Sequence, residues 1–202
     1  MNLPNKITLS RICLIPIFVA IFFIPFNGNY LVSAIIFMIA AFTDALDGHI
    51  ARSRGLVTNL GKFLDPIADK VLVSTAMILM LCLRNELFDV IFFEQISTGL
   101  YIAMAICICM IMARELIISA FRQIAATTGL VMAADKLGKF KTIFQDVSIA
   151  FILGGASFAS TIVGKVVCYI GFGLFAIATI LTVVSGVSYV LKNRQVLKTE
   201  KA

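Results

Sequence analysis

Aspartates crowd into one part of an otherwise apolar chain. Asp44 and Asp47 are three positions apart, so on a helix they share one face. Asp65 and Asp69, four positions apart, share a face of the next helix in the same way. Carboxylates this close repel one another unless cations lie between them, and an all-oxygen ligand set suits hard ions such as Mg²⁺ or Mn²⁺. The spacing therefore predicts a metal site, with room for two ions that would clamp the attacking and leaving oxygens of a phosphoryl transfer.

Small and basic residues accompany these aspartates. Gly48 follows Asp47 directly and leaves space for a substrate to approach the backbone. Ala51 keeps the same region small, and the guanidinium of Arg52 suits a phosphate group. Gly61 leaves similar space at the start of the next helix. These neighbours favour a substrate that carries phosphate.

The composition indicates that the site belongs to a membrane protein. Hydrophobic residues make up 60% of the 202 positions, against about 45–50% in soluble domains. An aspartate at the centre of a membrane helix costs about 2.5–3.5 kcal/mol, so four of them in such a chain require a function. The length allows one compact bundle, and we expect residues 1–202 to form a single membrane domain. Apolar stretches long enough to span a bilayer are predicted at 9–26, 31–51, 63–83, 96–118, 140–160 and 165–191.

Lysine and arginine residues predict the orientation, because cytoplasmic loops of membrane proteins carry an excess of them. Most of the 17 basic residues fall at chain ends or in loops on one side, including the connection from Arg52 to Lys62, whereas Arg84 and Lys165 fall on the other. We therefore predict an all-α integral membrane protein with six transmembrane helices, both termini cytoplasmic, and the active site at the cytoplasmic edge of the bundle. The net charge of +6 suits an anionic membrane surface and anionic substrates. No nucleic-acid partner is expected.

The aspartates and their neighbours form one continuous pattern. Residues 44–52 read D-A-L-D-G-H-I-A-R, followed by eight residues to Gly61, three to Asp65 and three to Asp69. This pattern resembles the complete signature of the CDP-alcohol phosphotransferases. Such enzymes move a substituted phosphate from a CDP-linked donor to an alcohol and release CMP. The resemblance implies a six-helix membrane enzyme, commonly a homodimer.

Matching positions in this resemblance also imply roles for individual residues. Asp44, Asp47, Asp65 and Asp69 would be the metal-site residues, and Asp69 would also be the catalytic base. A carboxylate at the edge of the metal site, within reach of the acceptor hydroxyl, suits that second role. The donor would contact Asn5, Lys6, Gly48, Arg52, Thr58 and Gly61.

A second polar set lies further along the chain and bears on the acceptor. Arg114 falls inside the fourth apolar stretch, where it is costly if it faces lipid, so we expect it to point into a polar cavity, paired with Glu115 or bound to substrate phosphate. Segments 2–11, 113–116 and 136–142 resemble the bacterial members of the family that join CDP-diacylglycerol to glycerol 3-phosphate in the cytoplasmic membrane. The expected contacts to the acceptor phosphate are Arg114, Lys136, Lys139 and Lys141.

Several alternatives remain open from the sequence. Family members that use serine, inositol phosphate or phosphatidylglycerol as the acceptor would share every signature aspartate, and the lysines of segment 136–141 also serve as topology signals. A divalent-cation transporter would place its carboxylates near mid-membrane and often shows inverted repeats, whereas these pairs fall at one edge of the predicted bundle. His49 is expected to have no functional role. For Asp135 and Asp146 a place in the polar cavity is one alternative, but we favour a solvated loop charge for Asp135 and a charge at a helix start for Asp146.

The cysteines show no pattern that indicates a metal or disulfide framework. They number five, an odd total, lie in or beside apolar stretches and lack the CxxC spacing. We expect them to be free thiols that act as buried small hydrophobes: Cys13, Cys82, Cys107, Cys109 and Cys168.

Overall fold

The computed structural model of the protein describes residues 3–53, 59–92, 94–127 and 136–192. Every regular element in these ranges is helical, as the composition predicts. In chain order the elements are α1 (Leu3–Phe23), α2 (Asn29–Ser53), α3 (Asn59–Cys82), a π-helical turn (Arg84–Phe88), α4 (Asp89–Ile91), α5 (Glu94–Thr127), α6 (Lys136–Ala156) and α7 (Ile162–Lys192).

Each predicted apolar stretch overlaps one of the six long helices. Within the described residues, Ile96–Gln123 and Ile162–Lys192 are each long and apolar enough to cross a membrane. A third crossing is possible if Ile67–Cys82 and Arg84–Ile91, which meet at 61°, count as one bent span. The chain is therefore a helical membrane protein, while the count of six spans stays a prediction.

The turn between α1 and α2 shows how the sequence separates two apolar helices. Gly28 has a φ of 91°, a backbone conformation that glycine adopts without steric cost. The side-chain amide of Asn29 donates to the carbonyl of Phe22 at 2.8 Å. This bond satisfies one of the carbonyls that α1 leaves without a helical partner at its end. The polar residues 27 and 28 thus form a turn that separates the first two long helices.

The closest packing in the bundle joins α6 to α7. A Cβ added to Gly155 would lie 2.5 Å from the Cys168 sulfur, and one added to Gly171 would lie 2.7 Å from Cγ1 of Ile152. Neither separation occurs between real side chains, so glycine at these positions is what lets the two helices approach. α2 packs on α6, α1 contacts both α2 and α3, and α5 packs on α7.

The outer surface is apolar, as expected where lipid replaces water. Ile162 is 83% exposed and Phe42 is 65% exposed, which would be unfavourable in contact with solvent.

The exposure of the cysteines corrects the prediction made for them. All five thiols are free, as predicted, but Cys13, Cys82 and Cys109 are exposed and Cys107 is half-buried, so only Cys168 is buried. A small apolar thiol fits a surface that contacts lipid as well as it fits a core.

Aromatic rings from several elements pack against one another beyond the end of α3. The ring of Phe88 packs edge-on against Tyr101 at 5.6 Å and lies 5.3 Å from the ring of Phe172. The guanidinium of Arg84 lies 5.3 Å from the centroid of Tyr101, and the Tyr101 hydroxyl donates to the Leu81 carbonyl at 3.2 Å. We call this group the aromatic cap; it comprises Phe88, Phe92, Tyr101, Tyr169 and Phe172.

Candidate active site

Two neighbouring helices carry the four signature aspartates. Asp44 and Asp47 lie on α2, Asp65 and Asp69 lie on α3, and α2 packs against α3. The backbone is helical at all four positions, so each pair is separated by about one helical turn, as the spacing predicts. The side chains of Asp44, Asp47 and Asp65 lie outside the described part of the structure. Asp69 is described and half-buried.

Asp69 lines a partly open cavity between α3, α5 and α6, which we call the polar cavity for its charged side chains. The volume is about 110 Å³, and because one water needs roughly 10–15 Å³ of such space, the cavity has room for a small polar molecule. Charged residues of both signs face this space. Its walls are Asp69, Lys70, Val73, Ser74, Met77, Met112, Glu115, Leu116, Lys141, Thr142, Gln145 and Asp146.

A single carboxylate oxygen on the cavity wall binds two cationic side chains. Oε1 of Glu115 accepts from Nη1 of Arg114 at 3.2 Å and forms an ion pair with Nζ of Lys141. These side chains are largely withdrawn from solvent: Lys141 is 6% exposed, Arg114 is 14% and Glu115 is 28%. Charges at such depth are stable when they are paired and hydrogen-bonded. Glu115 therefore joins α5 to α6 through a charge contact.

Further hydrogen bonds extend this contact to two more helices. Nη2 of Arg114 donates to Oγ of Ser185 on α7 at 2.9 Å. On the other side Lys70 donates to Oγ of Ser119, and that hydroxyl donates to the backbone carbonyl of Glu115 at 2.7 Å. We call this set the Glu115 network; it comprises Lys70, Arg114, Glu115, Ser119, Lys141 and Ser185.

Gly186 makes the space that the Arg114 side chain occupies. A Cβ added to Gly186 would lie 2.9 Å from Cγ of Arg114 and 3.3 Å from its Nε. Arg114 lies on the α7 side of Glu115, where it borders an apolar groove with Gly186 and Val187. Its alkyl chain therefore contacts apolar residues while its guanidinium binds Glu115 and Ser185.

The structure brings together part of the predicted acceptor set. Lys141 lines the polar cavity, and Arg114 reaches it through Glu115, which is one of the two arrangements expected for Arg114. Lys139 is exposed on the surface of α6. Lys136 begins α6, and its side chain lies outside the described residues.

Several polar residues on the cavity wall were not assigned to the site from the sequence. Lys70 directly follows Asp69, and Gln145 and Asp146 lie about one turn beyond Lys141 on α6. Polar residues at a spacing of four in an apolar helix are the signal that would have identified Gln145. The expectation for Asp146 was wrong, because α6 begins at Lys136 and places this residue at mid-helix on the cavity wall.

The residues predicted to contact the donor lie mainly on helix segments whose side chains fall outside the described part of the structure. α1 contacts both α2 and α3, so the donor residues near its start belong to a helix packed beside the aspartate pairs. The backbone is helical at Asn5 and Lys6 of α1, Gly48 and Arg52 of α2 and Gly61 of α3, whereas Thr58 lies outside the described residues entirely.

The donor atoms of the aspartate set fit a hard divalent cation. All four residues supply carboxylate oxygens, which Mg²⁺ and Mn²⁺ prefer, and they lie on two helices in contact. Among the residues that the structure describes, no three or more histidine, cysteine or acidic side chains form a metal-binding cluster. Asp69 is the one member of the aspartate set whose side chain is described.

Comparison with known proteins agrees with the pattern of these residues. The chain matches the family described as CDP-alcohol phosphatidyltransferase over residues 1–184. It is similar to proteins named CDP-diacylglycerol–glycerol-3-phosphate 3-phosphatidyltransferase from three bacteria. Identity is 40% to the Bacillus subtilis protein, covering 98% of each chain. It is 39% to the Salmonella paratyphi A protein, covering 96% of this chain and 95% of the relative, and 32% to the Rickettsia typhi protein, covering 93% and 94%.

The family match covers the aspartates on α2 and α3 together with the cavity residues on α5 and α6. Its extent removes the reading of the carboxylates as part of an unrelated transporter. The chain belongs to the CDP-alcohol phosphatidyltransferase family.

Proposed function

We propose that this protein transfers the phosphatidyl group of CDP-diacylglycerol to the sn-1 hydroxyl of glycerol 3-phosphate, giving phosphatidylglycerophosphate and CMP. The observation that carries the proposal is the polar cavity, in which a carboxylate suited to act as a base, Asp69, shares the walls with the cations Lys70 and Lys141. A small alcohol that bears a phosphate matches both features. The names of the relatives from Bacillus, Salmonella and Rickettsia state the same donor and acceptor.

In this proposal the aspartates of α2 and α3 hold Mg²⁺ or Mn²⁺, two ions in all. Asp44, Asp47, Asp65 and Asp69 supply the oxygen ligands. When bound, the ions would neutralise negative charge on the diphosphate of the donor as its bond to CMP breaks. The donor's cytidine diphosphate would contact Asn5, Lys6, Gly48, Arg52, Thr58 and Gly61.

The acceptor occupies the polar cavity. Lys141 and Lys70 bind its phosphate from α6 and α3, with Arg114, Lys136 and Lys139 adding positive charge nearby. Asp69 accepts the proton of the sn-1 hydroxyl. The hydroxyl oxygen then attacks the phosphorus that bears diacylglycerol, a new phosphorus–oxygen bond forms, and CMP leaves with the electron pair of the bond that breaks.

The membrane arrangement follows from the two substrates. Acyl chains of the donor belong in lipid, whereas its nucleotide and glycerol 3-phosphate belong in the cytosol. We propose six spans in the bacterial cytoplasmic membrane, both termini cytoplasmic, and the catalytic aspartates at the cytoplasmic edge, in a single domain that assembles as a homodimer. The six long helices and the basic residues on one side support this arrangement.

A direct assay tests the proposed reaction. Protein purified in detergent is given CDP-diacylglycerol with glycerol 3-phosphate, serine, inositol phosphate or phosphatidylglycerol in separate reactions, and CMP release is measured with Mg²⁺, with Mn²⁺ and with excess EDTA. We expect release that requires glycerol 3-phosphate and is lost with EDTA. Release with another acceptor alone would replace the assigned acceptor, and an undiminished rate in EDTA would remove the metal from the proposal.

A further inference from the structure

The cavity contains more negative charge than a site for an anionic acceptor would be expected to need. Glu115 lines it together with Asp69 and Asp146, and each carboxylate opposes the entry of a phosphate. The proposed reaction uses Asp69 as its base and gives no role to Glu115. The contacts of Glu115 indicate what this residue contributes.

Glu115 contacts both cations through one oxygen. Arg114 and Glu115 are consecutive on α5, so their side chains leave the helix about 100° apart; Arg114 extends toward Ser185 on α7 and Glu115 faces the cavity. The guanidinium of Arg114 binds both Ser185 and Oε1 of Glu115. α7 therefore restrains the carboxylate through Arg114.

Lys141 has the more flexible side chain of the two cations that bind Glu115. Its ammonium group sits on a flexible four-carbon stem and has no fixed geometry of its own. Asp69 and Asp146 offer two other carboxylates on the same walls. A lysine paired with either of them would be withdrawn from the acceptor, and pairing with Asp69 would also occupy the proposed base. The ion pair with Glu115 holds Nζ of Lys141 at the α5 side of the cavity.

We propose that Glu115 is a positioning residue for acceptor recognition: held by Arg114, it keeps Lys141 turned toward the phosphate of the acceptor and away from Asp69. This inference rests on the proposed function, because it concerns the acceptor of that reaction. Glu115 acts through Lys141 and contacts neither the reacting hydroxyl nor the donor.

The test compares Glu115→Gln with wild type and with Glu86→Gln, a matched change at an exposed position in the π-helical turn that follows α3. Initial rates of CMP release are measured while glycerol 3-phosphate and CDP-diacylglycerol are varied separately. We expect Glu115→Gln to raise KM for glycerol 3-phosphate about tenfold or more, since a charge-assisted contact to a phosphate is weakened. KM for CDP-diacylglycerol should not change and kcat should stay within about threefold. Glu115→Asp should recover part of the loss.

A double-mutant cycle separates positioning from a structural role. If Glu115 acts through Lys141, the combined variant Glu115→Gln/Lys141→Gln should have about the same KM for glycerol 3-phosphate as Lys141→Gln alone. Additive effects on KM, or a loss of kcat with both KM values unchanged, would overturn the proposal.

Three further outcomes are decisive. If Glu115→Gln does not fold in detergent, Glu115→Asp decides: a rise in KM confined to glycerol 3-phosphate supports the proposal, and an unchanged KM overturns it. If wild type and Glu86→Gln release no CMP with glycerol 3-phosphate, the proposed function itself fails. If wild type uses glycerol 3-phosphate and Glu115→Gln has the wild-type KM, only the role of Glu115 fails.

Discussion

The two ends of α3 satisfy their polar groups in opposite ways. Near Asp69, charges from different helices are buried against one another, with Lys141 and Arg114 on the same oxygen of Glu115. Beyond Cys82, charged groups bind neutral partners: Arg84 lies over the ring of Tyr101 and donates to Thr98 at 3.4 Å, and Asp89 accepts from Ser97 at 3.3 Å.

These opposite arrangements indicate that the electrostatic cost of burial falls at the Asp69 end of α3. Burying opposite charges together gains little stability over an apolar replacement, because each ion loses its hydration. The end of α3 beside the aromatic cap avoids that loss, because its charged groups contact an aromatic ring or a neutral hydrogen-bonding partner. Packing and these contacts explain the residues there. We infer that the Glu115 network serves a bound ligand, because paired charges buried at a cavity contribute little stability by themselves. Substitutions at the two ends should therefore differ in kind: kinetic at the cavity and structural at the cap.

The largest expected effect is at the proposed base. Asp69→Asn keeps the shape of the side chain but removes the proton acceptor, so kcat for CMP release should fall by about 10²–10⁴-fold. Binding of CDP-diacylglycerol, measured by calorimetry or by protection against thermal unfolding, should persist. The matched control at the cap is Asp89→Asn, for which we expect a near-wild-type rate. A near-normal kcat for Asp69→Asn would remove this residue from the role of base.

An intermediate effect is expected where α7 supports the network. Gly186→Ala places a methyl group where only 2.9 Å separates it from Cγ of Arg114, so Arg114 must shift relative to Glu115 and Ser185. We expect the free energy of unfolding to fall by about 1–3 kcal/mol and KM for glycerol 3-phosphate to rise by roughly half the factor seen for Glu115→Gln on a logarithmic scale.

The control for that change lies on the same helix. Nothing lies within 4 Å of a Cβ added to Gly173, so Gly173→Ala should leave KM unchanged and slightly raise stability through helix propensity. Equal kinetic behaviour of the two alanine variants would show that Arg114 does not need its present position.

The smallest expected effect is at the aromatic cap. Tyr101→Phe keeps the ring beneath Arg84 and beside Phe88 but removes the hydroxyl that donates to the Leu81 carbonyl. We expect a loss of about 0.5–1.5 kcal/mol in unfolding free energy and no change in either KM. Thermal unfolding in detergent, followed alongside CMP release, measures both. A change in KM for glycerol 3-phosphate would contradict the separation between the two ends of α3.

The sequence predicted those features that depend on neighbours along the chain. The spacing of Asp44 and Asp47, and of Asp65 and Asp69, placed each pair about a turn apart on one helix, and the run that contains them identified the family. The apolar stretches located the six long helices because burial in lipid requires continuous hydrophobicity.

Features that depend on packing between helices were not predictable in the same way. Lys70 and Gln145 reach the cavity because particular faces of α3, α5 and α6 meet, and local spacing does not specify which faces do so. The position of Asp146 within its helix was misjudged. The apolar stretch starts at residue 140 because the first turn of α6 is basic, whereas the helix itself starts at Lys136. Helix boundaries extend beyond apolar boundaries wherever a helix leaves the lipid.

The glycines between α6 and α7 limit which parts of the site can move. Gly155 and Gly171 allow contacts between α6 and α7 that leave no space for even a methyl group. Sliding one helix along the other would force backbone against side chain, so we expect the two helices to move together. The backbone positions of Lys141 on α6 and Ser185 on α7 should therefore keep a constant separation. If the cavity widens or narrows during a catalytic cycle, we expect α3 or α5 to move. These helices would carry Asp69 and Glu115 toward or away from the α6–α7 pair.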